Sequence, residues 1–354
     1  MGENLKVLIF GHEKTAYTNY LIDALTGAGV KVLSPYWPFP WHFWGKGLVW
    51  HLHWPSFYYK LRPSALFNII SLLAWIYFVF IILPSVALSK IPLVYTMHNL
   101  YPHERHLRFM DKIARRRVLS LAHTVVLNCQ RARTIFQKEF PFYQGSIQII
   151  PHGSLQRPSE KPVSQREARQ RLGLPQDAYV YLHVGKLRLY KGIEELVSVF
   201  RLVAGAKDLL LIVGEPANPG YAGRLKYLVQ DSPQVRLFLG FTPDDQLSLY
   251  LCSCNCLVLP YRQVMTSGAA LLALAWSKPA VVPSAGCLPE QLGAVGVYYG
   301  DEGLPSLGDA MQAVKQIEPA IIAKEARVKF AQVSWENLVP KLQKVYACSL
   351  SRLP

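Results

Sequence analysis

The sequence predicts an α/β protein with two doubly wound parallel sheets. Three observations support this prediction. A chain of 354 residues is long enough for two domains of ordinary size. Its composition is 51% hydrophobic, enough for two substantial cores. Short apolar runs alternate with helical stretches in both halves, as expected when strands feed a parallel sheet through crossover helices.

In the first half, an apolar run ending in glycine, then a helical stretch to about Ala28 and a second run, predict a βαβ opening. Further strands follow at similar spacing. The predicted strands are Lys6–Gly11, Val30–Leu33, Leu48–His53, Leu93–His98, Thr124–Asn128 and Ser146–Ile150.

The second half repeats this alternation. The predicted strands are Tyr179–Val184, Leu209–Val213, Val235–Leu239, Cys254–Leu259 and Ala280–Pro283. One predicted helix begins near Ile193. The others are Tyr221–Gln230, Pro243–Leu251, Gly268–Ser277 and Trp335–Ala347. We therefore predict an N-terminal domain at 1–155, a polar linker at 156–175, a second domain at 176–334 and a closing helix in 335–354.

The positive charge is concentrated in the first half. Of the formal net charge of +15, residues 1–155 contribute 16 Lys and Arg against 6 Asp and Glu, a net of +10. Nucleic acid, an acidic membrane and a lipid diphosphate are all suitable anionic partners. The chain has no recognisable nucleic-acid-binding module and no Gly-x-x-x-x-Gly-Lys-Ser/Thr, so we expect neither nucleic-acid binding nor a P-loop ATPase.

Two segments of this half are unusually apolar or aromatic. The aromatic segment, residues 36–59, has eleven aromatic side chains in 24 residues. Such rings suit a bilayer interface, stacking on sugars, or simple packing onto their own domain. Leu66–Leu88 has no charged residue and is long enough to span a bilayer. Because it lies between two predicted strands of one sheet, a crossover helix that is buried or touches a membrane is favoured over a true span.

The turn Gly185–Gly192 is the most informative motif. An apolar strand ends at Gly185, and Lys191-Gly192 opens a helix. Such a turn directs unpaired backbone N–H groups and the positive end of a helix at one place. With Lys186 and Lys191 beside it, the turn is suited to a diphosphate.

Four separated features, in order along the chain, resemble the GT-B glycosyltransferases of family 4. They are Thr96–Asn99, Gly185–Gly192, Gly240–Leu247 and Pro260–Glu290. The resemblance implies two Rossmann-like domains with a cleft between them. It also implies that Lys186, in the place of the family's usual arginine, and Lys191 hold the diphosphate of a sugar nucleotide.

The Pro260–Glu290 block departs from the family pattern. Family members usually carry two glutamates eight positions apart, and Val264 and Leu272 occupy those places here. Thr266, Ser267 and Gly268 stand between them at a loop-to-helix junction, where hydroxyl and backbone donors suit a phosphate or simply cap the helix. Glu290 matches a common family position and could equally cap the next helix.

In the N-terminal domain, His98 follows a predicted strand end, where α/β sheets bind ligands. It matches the histidine that the family places beside the donor sugar. Glu104 is the nearest carboxylate that could deprotonate an acceptor hydroxyl. Gly11 and His12 end the first strand and are weaker candidates on the acceptor side. Structural roles for these residues remain open at this point.

We therefore expect a hexosyltransferase, which moves a sugar from a nucleotide-diphosphate donor to a lipid-linked or saccharide acceptor in exopolysaccharide or related glycan biosynthesis. The alternatives are a non-catalytic GT-B protein that binds a nucleotide sugar or a partner, and an epimerase on the same fold. No cofactor and no metal are expected, since the sequence has no Asp-x-Asp at a strand end. We expect a cytoplasmic location with peripheral contact to an anionic membrane.

Overall fold

Two parallel six-stranded sheets organise the chain. The structure, a computed structural model, describes residues 5–11, 15–59, 65–101, 108–154, 163–300 and 303–351. The chain divides into unit 1, Met1–Gly153 with Gln332–Pro354, and unit 2, Ser154–Ala331. The linker predicted at 156–175 stays a prediction, because part of it lies outside the described residues.

Unit 1 has strand order β2-β1-β3-β4-β5-β6, with every neighbouring pair parallel. Its inner strands β3 and β4 are mostly apolar and fully buried, as expected for a sheet covered on both faces, whereas the edge strands β2 and β6 are only half-buried. Its elements before residue 154 are β1 Lys6–Leu8, α1 Ala16–Gly27, β2 Lys31–Leu33, β3 Leu48–Leu52, α2 Ala65–Tyr77, α3 Leu83–Ser89, β4 Leu93–Thr96, α4 Arg108–Leu121, β5 Ala122–Leu127, α5 Gln130–Glu139 and β6 Ser146–Ile149.

The predicted crossover at 66–88 is helical throughout. A π-helical turn, Phe78–Ile82, joins α2 to α3, so the helix runs on between the hydrogen-bonded neighbours β3 and β4. The prolines of the aromatic segment prevent a regular helix there, and two short 3₁₀ turns form instead, Pro40–Phe43 and Pro55–Tyr59.

Unit 2 has strand order β12-β11-β10-β7-β8-β9, again with all pairs parallel. Its elements are α6 Gln165–Arg171, β7 Tyr179–Val184, α7 Ile193–Val203, β8 Asp208–Gly214, α8 Pro219–Val229, β9 Val235–Leu239, α9 Asp244–Ser253, β10 Cys256–Val258, α10 Gly268–Ala275, β11 Ala280–Pro283, α11 Leu288–Leu292, β12 Gly296–Tyr299, α12 Leu307–Ala313 and α13 Pro319–Val333. The doubly wound α/β prediction is confirmed in both units.

The last helix, α14 Trp335–Leu350, belongs to unit 1. It packs on α1 and on β3, β4 and β5. Its buried side chains recur at three- and four-residue spacing, as expected for a helix with one face on a core. They are Trp335, Leu338, Val339, Leu342, Val345, Tyr346 and Ser349. The helix predicted at Trp335–Ala347 is therefore confirmed and runs slightly further.

Candidate functional site

In unit 2, the turn after β7 depends on two glycines. Gly185 ends the strand with φ +117°, and Gly192 precedes α7 with φ +68°. A Cβ on Gly192 would lie 2.0 Å from the carbonyl oxygen of Pro260, in the loop after β10. That loop also donates the Arg262 amide to the carbonyl of Tyr190, at 2.9 Å. The two loops thus meet at the carboxyl edge of the sheet because Gly192 has no side chain.

Lys191 is the half-buried cation of this turn. Its Nζ lies 4.9 Å from the centre of the Tyr261 ring and 3.4 Å from the position that a Cβ on Gly185 would take. Among the described residues, no carboxylate forms an ion pair with Lys191. Burial lowers the pKa of the Lys191 ammonium. A cation desolvated without a counter-ion would gain from a bound anion.

The predicted residues at the start of α10 belong to the same structure. Ser267 is buried and caps α10 by accepting a hydrogen bond from the Ala270 amide, at 3.2 Å. Its hydroxyl also lies 2.8 Å from the Tyr261 hydroxyl, so Tyr261 connects Lys191 to the start of α10. Ser267 therefore has a capping role, whatever its part in ligand binding. Thr266 and Gly268, on either side, are half-buried.

The positions of the two missing glutamates are apolar in the structure too. Leu272 is buried in α10, and Val264 is half-buried. Gly286, with φ +54°, lies so close to the loop after β10 that its Cβ would meet the Val264 carbonyl oxygen at 2.3 Å. Glu290 is exposed in the first turn of α11. The structure thus brings Gly185, Lys191 and Ser267 together through Tyr261, and leaves Lys186 and Glu290 on the surface.

In unit 1, His98 lies in a cluster of four buried histidines. The others are His51, His53 and His152, the last just beyond β6. His53 Nδ1 is 3.2 Å from His98 Nε2, while His51 bonds the Thr96 hydroxyl at 2.8 Å and the Tyr346 hydroxyl at 2.7 Å. His51 lies in β3 and His53 directly follows it, two positions along, so both side chains lie on the same side of the sheet, where His51 contacts Tyr346 of α14.

Aromatic rings enclose the His98 imidazole. Trp54 stacks on it at 4.3 Å between ring centres and 18° between planes, and Tyr17 meets it edge-on at 4.7 Å. Burial lowers the pKa of all four histidines: to about 3 for His51, to about 4 for His152, and well below 6.5 for His53 and His98. The cluster is therefore neutral at pH 7, and a neutral imidazole can accept a proton.

Some predicted residues are not placed beside this cluster. Glu104 and His12 lie outside the described residues. Gly11 donates its amide to the carbonyl of Pro35 at 2.6 Å, which holds the end of β1 against the exit from β2. His51, His53 and His152 were not predicted from the sequence. The His-x-His alternation within an otherwise apolar strand was the signal that could have found the first two. Across the part of the chain that the structure describes, no group of three or more His, Cys, Asp or Glu side chains is arranged to hold a metal ion.

Unit 1 also exposes an apolar surface. Asn68–Ser89 is long and apolar enough to cross a membrane by length and composition alone, and 39% of its most apolar window is buried. The side chains on its outer side, here called the apolar face, are Ile69, Ile70, Leu72, Leu73, Ile76, Phe80, Ile81 and Leu88, all at least two-fifths exposed. Trp75 donates to the Met110 carbonyl at 2.9 Å, so the exposed Phe109 of α4 lies near this face. Tyr77 donates to the carbonyl of Pro38 at 3.1 Å, so the aromatic segment, with exposed Trp41 and Trp44, is also adjacent.

Comparison with known proteins gives a family match within the second unit. Residues 178–331 match the family model described as glycosyl transferases group 1. A GDP-mannose:glycolipid 4-beta-D-mannosyltransferase of Xanthomonas campestris pv. campestris is 29% identical over 66% of this chain and 61% of its own length. A second protein of that name, from strain ATCC 33913, is 28% identical over 75% of this chain and 71% of its own length. The chain thus spans about three-fifths to seven-tenths of these relatives.

Solved structures agree on the fold. A sucrose-phosphate synthase from Thermosynechococcus elongatus superposes with a TM-score of 0.68 at 18% identity, covering 98% of this chain and 99% of its own. Anabaena HepE, solved in complex with UDP, superposes with a TM-score of 0.71 at 14% identity, over 97% of this chain and all of its own. The predicted GT-B fold and the predicted resemblance are confirmed. The curated relatives are named as transferases, so the non-catalytic alternative is not favoured.

Proposed function

We propose that the chain, which has the GT-B fold and matches the group 1 glycosyl transferase model at residues 178–331, transfers a hexosyl group from a nucleoside-diphosphate sugar to a hydroxyl of a glycolipid. The observation that carries this proposal is the Lys191 ammonium, desolvated at a strand-to-helix turn and without an acidic partner among the described residues. Two relatives named for GDP-mannose and a glycolipid supply the donor and acceptor classes.

In the proposed donor site, unit 2 holds the diphosphate. Lys191 supplies a positive charge, and the first amides of α7 supply N–H donors that have no partner within the helix. Lys186 is exposed at the same turn, and we propose that it adds a second charge once the donor is bound. Thr266 and Gly268, beside the capped start of α10, are proposed to contact the sugar or its phosphate, and Glu290 the sugar. Tyr261 contacts both Lys191 and Ser267 and would hold the two side chains close together.

The transfer itself is proposed to proceed with inversion. The acceptor hydroxyl gives its proton to His98, and its oxygen forms a bond to the anomeric carbon. At the same time the bond from that carbon to the diphosphate breaks, and the nucleoside diphosphate leaves with the electron pair. Burial keeps the His98 imidazole neutral at pH 7, so one ring nitrogen has the lone pair that the proton needs. The positive charge of Lys191 in the proposed donor site would stabilise the departing diphosphate. Lysine and helix N–H groups would do this without a divalent cation.

We propose that the apolar face contacts the cytoplasmic surface of an anionic membrane. Eight apolar side chains are exposed there on one helix, and clustered exposed apolar side chains are typical of a surface that contacts a membrane or a partner. Exposed Lys112 and Arg116 on α4, the helix that Trp75 reaches through Met110, would meet lipid phosphates. Since the helix joins two adjacent strands of one sheet, it would lie in the interface and not cross the bilayer.

The test of transfer is a product assay. Full-length protein is incubated with GDP-mannose and a synthetic lipid-diphosphate saccharide, and the mass of the product is measured by mass spectrometry. We expect a gain of one hexose, an anomeric configuration opposite to the donor's by NMR, and strong loss in His98→Gln. Conversion of the donor without acceptor would instead support an epimerase. Failure with UDP-, GDP-, ADP- and TDP-sugars alike would refute the proposal.

Membrane contact is tested by sedimentation with liposomes. The double variant Leu73→Asn/Phe80→Asn removes two apolar side chains from the apolar face, and Leu202→Asn removes an even more exposed leucine in unit 2. We expect the double variant to lower partitioning into phosphatidylglycerol vesicles about 30-fold, from roughly 2 kcal/mol of lost burial. Leu202→Asn should bind like the wild type. Equal binding by all three proteins, or none by the wild type, would refute membrane contact through this face.

A further inference from the structure

The histidine that the mechanism uses has a second histidine within hydrogen-bond distance. His53 Nδ1 and His98 Nε2 are 3.2 Å apart, and both rings are buried. Because two lone pairs cannot share this contact, one nitrogen donates a proton and the other accepts it. If His98 is to accept a proton at Nδ1, its Nε2 must carry the hydrogen, and His53 Nδ1 must be the acceptor.

This arrangement also fixes the state of His53. With Nδ1 accepting, His53 carries its proton on Nε2, an atom with no hydrogen-bond partner among the described residues. His53 and His98 both line a cavity of about 30 Å³ that is also lined by Ser56 and Arg115. Such a polar space has room for a water molecule that would satisfy His53 Nε2.

Packing leaves little freedom to either ring. Trp54 stacks on His98, and the His51 ring lies 4.2 Å from that of His53. His53 follows β3 directly, and β3 pairs in parallel with β4, the strand that leads to His98. The contact is therefore built into two neighbouring strands of the sheet.

We propose that His53 is a positioning residue for His98. This inference rests on the proposed function, in which His98 takes the acceptor proton. His53 Nδ1 holds His98 in the tautomer whose Nδ1 has a lone pair, and it accepts a hydrogen bond from Nε2 of the imidazolium that forms. His98 is thus a general base that is oriented by a hydrogen-bonded partner, and the partner is the neutral imidazole of His53.

The groups that face this pair all bear on its titration. They are His51 on β3, His152 after β6, Tyr17 on α1, Tyr346 on α14, Tyr95 on β4, and the Arg115–Asp111 ion pair on α4. The variants below leave all of them in place except Tyr346, which serves as the control.

The test compares His53→Leu, which removes the acceptor, with His53→Asn, whose amide oxygen can take the place of Nδ1. Tyr346→Phe is the matched control, since it removes a hydrogen bond from His51 in the same cluster without touching His98. For His53→Leu we expect kcat to fall at least about 10-fold with KM little changed, because a base contributes roughly 10²- to 10⁴-fold only when aligned. The acidic limb of the kcat/KM profile should move to lower pH, since the imidazolium loses its acceptor. His53→Asn should restore both, and Tyr346→Phe should change neither.

A second readout does not depend on turnover. In protein labelled with ¹⁵N-histidine, NMR at pH 7 should show His98 protonated at Nε2 in the wild type and His53→Asn, and a different tautomer population in folded His53→Leu. An unchanged His98 tautomer, or an unchanged kcat and acidic limb in His53→Leu, overturns the proposal. If the wild type and the variants show the expected His98 tautomers but the wild type transfers no sugar from any donor, the proposed function is overturned. The pairing of His53 with His98 would then still be established.

Discussion

The buried histidines predict a stability that falls steeply on mild acidification. Burial lowers the pKa of His51 to about 3 and of His152 to about 4, from an ordinary value of 6.5. In the unfolded chain both rings regain the ordinary pKa and bind protons below pH 6.5. The folded chain binds none until the pH reaches the lowered values. The unfolding free energy is therefore full above pH 6.5 and declines as the pH falls from there toward 4.

The size of the effect follows from these values. Between pH 7 and pH 5, each of the two histidines costs about 1.9 kcal/mol of unfolding free energy, or about 4 kcal/mol together. The pKa of His53 and of His98 is also lowered, so both act in the same direction. Set against a typical stability of about 5–15 kcal/mol, this loss is large.

The assay is urea unfolding at pH 7, 6 and 5, followed by tryptophan fluorescence, which reports chiefly on unit 1 because only Trp276 lies in unit 2. The informative variant is His51→Asn. It removes one titrating ring and two hydrogen bonds, so it should be less stable than the wild type at pH 7. Its deficit should shrink by about 1.9 kcal/mol at pH 5. A deficit that stays constant across this range would refute the reasoning that His51 is buried neutral.

Three further predictions follow from close contacts and from the proposed donor site. Gly192→Ala should cost about 3 kcal/mol of unfolding free energy, from left-handed strain plus the clash with Pro260, whereas Gly173→Ala, with φ +62° and open space, should cost only about 1 kcal/mol in urea unfolding. Equal costs would contradict the close approach of the two loops. Asp111→Asn should cost about 3–5 kcal/mol, since it leaves the buried Arg115 uncompensated, and a loss under 1 kcal/mol would contradict this. Transfer activity should survive EDTA, because lysine and helix N–H groups neutralise the diphosphate, and its abolition would require a cation.

Local sequence patterns predicted most of the fold. Parallel strands buried on both faces are short apolar runs, so β7 and β11 have the predicted bounds. The edge strand β9 also has its predicted bounds, because four of its five residues are apolar. The prediction was wrong where the pattern is ambiguous. The strand expected at Cys254–Leu259 begins only at Cys256, because α9 extends to Ser253 and Cys254 is a buried connector.

Elements without a clear apolar period were not predicted. β12 is an edge strand whose residues are all half-buried, and α12 and α13 mix polar and apolar residues without a strong stripe. Such elements are determined by what they pack against, which a single sequence does not display.

The candidate site was predictable only where chemistry and backbone geometry coincide. The turn between Gly185 and Gly192 can be recognised from its glycines and lysines, so Lys191 could be predicted as a binding residue. Tyr261 could not, because an aromatic residue after a strand is usually part of the core, and its contacts with Lys191 and Ser267 arise from the folding of two loops. The same holds for His53, whose importance depends on the register between β3 and β4.

The central claim is that the turn after β7 binds the diphosphate of a sugar nucleotide, and calorimetric titration with GDP-mannose tests it most directly. We expect the wild type to bind and Lys191→Met to bind about 10- to 100-fold more weakly, since a hydrogen bond to a charged group contributes about 1.5–3 kcal/mol. Lys226→Met, the same change at an exposed lysine of α8, should bind like the wild type. Equal affinity of Lys191→Met and the wild type, or no binding of any UDP-, GDP-, ADP- or TDP-sugar by folded protein, would contradict the claim.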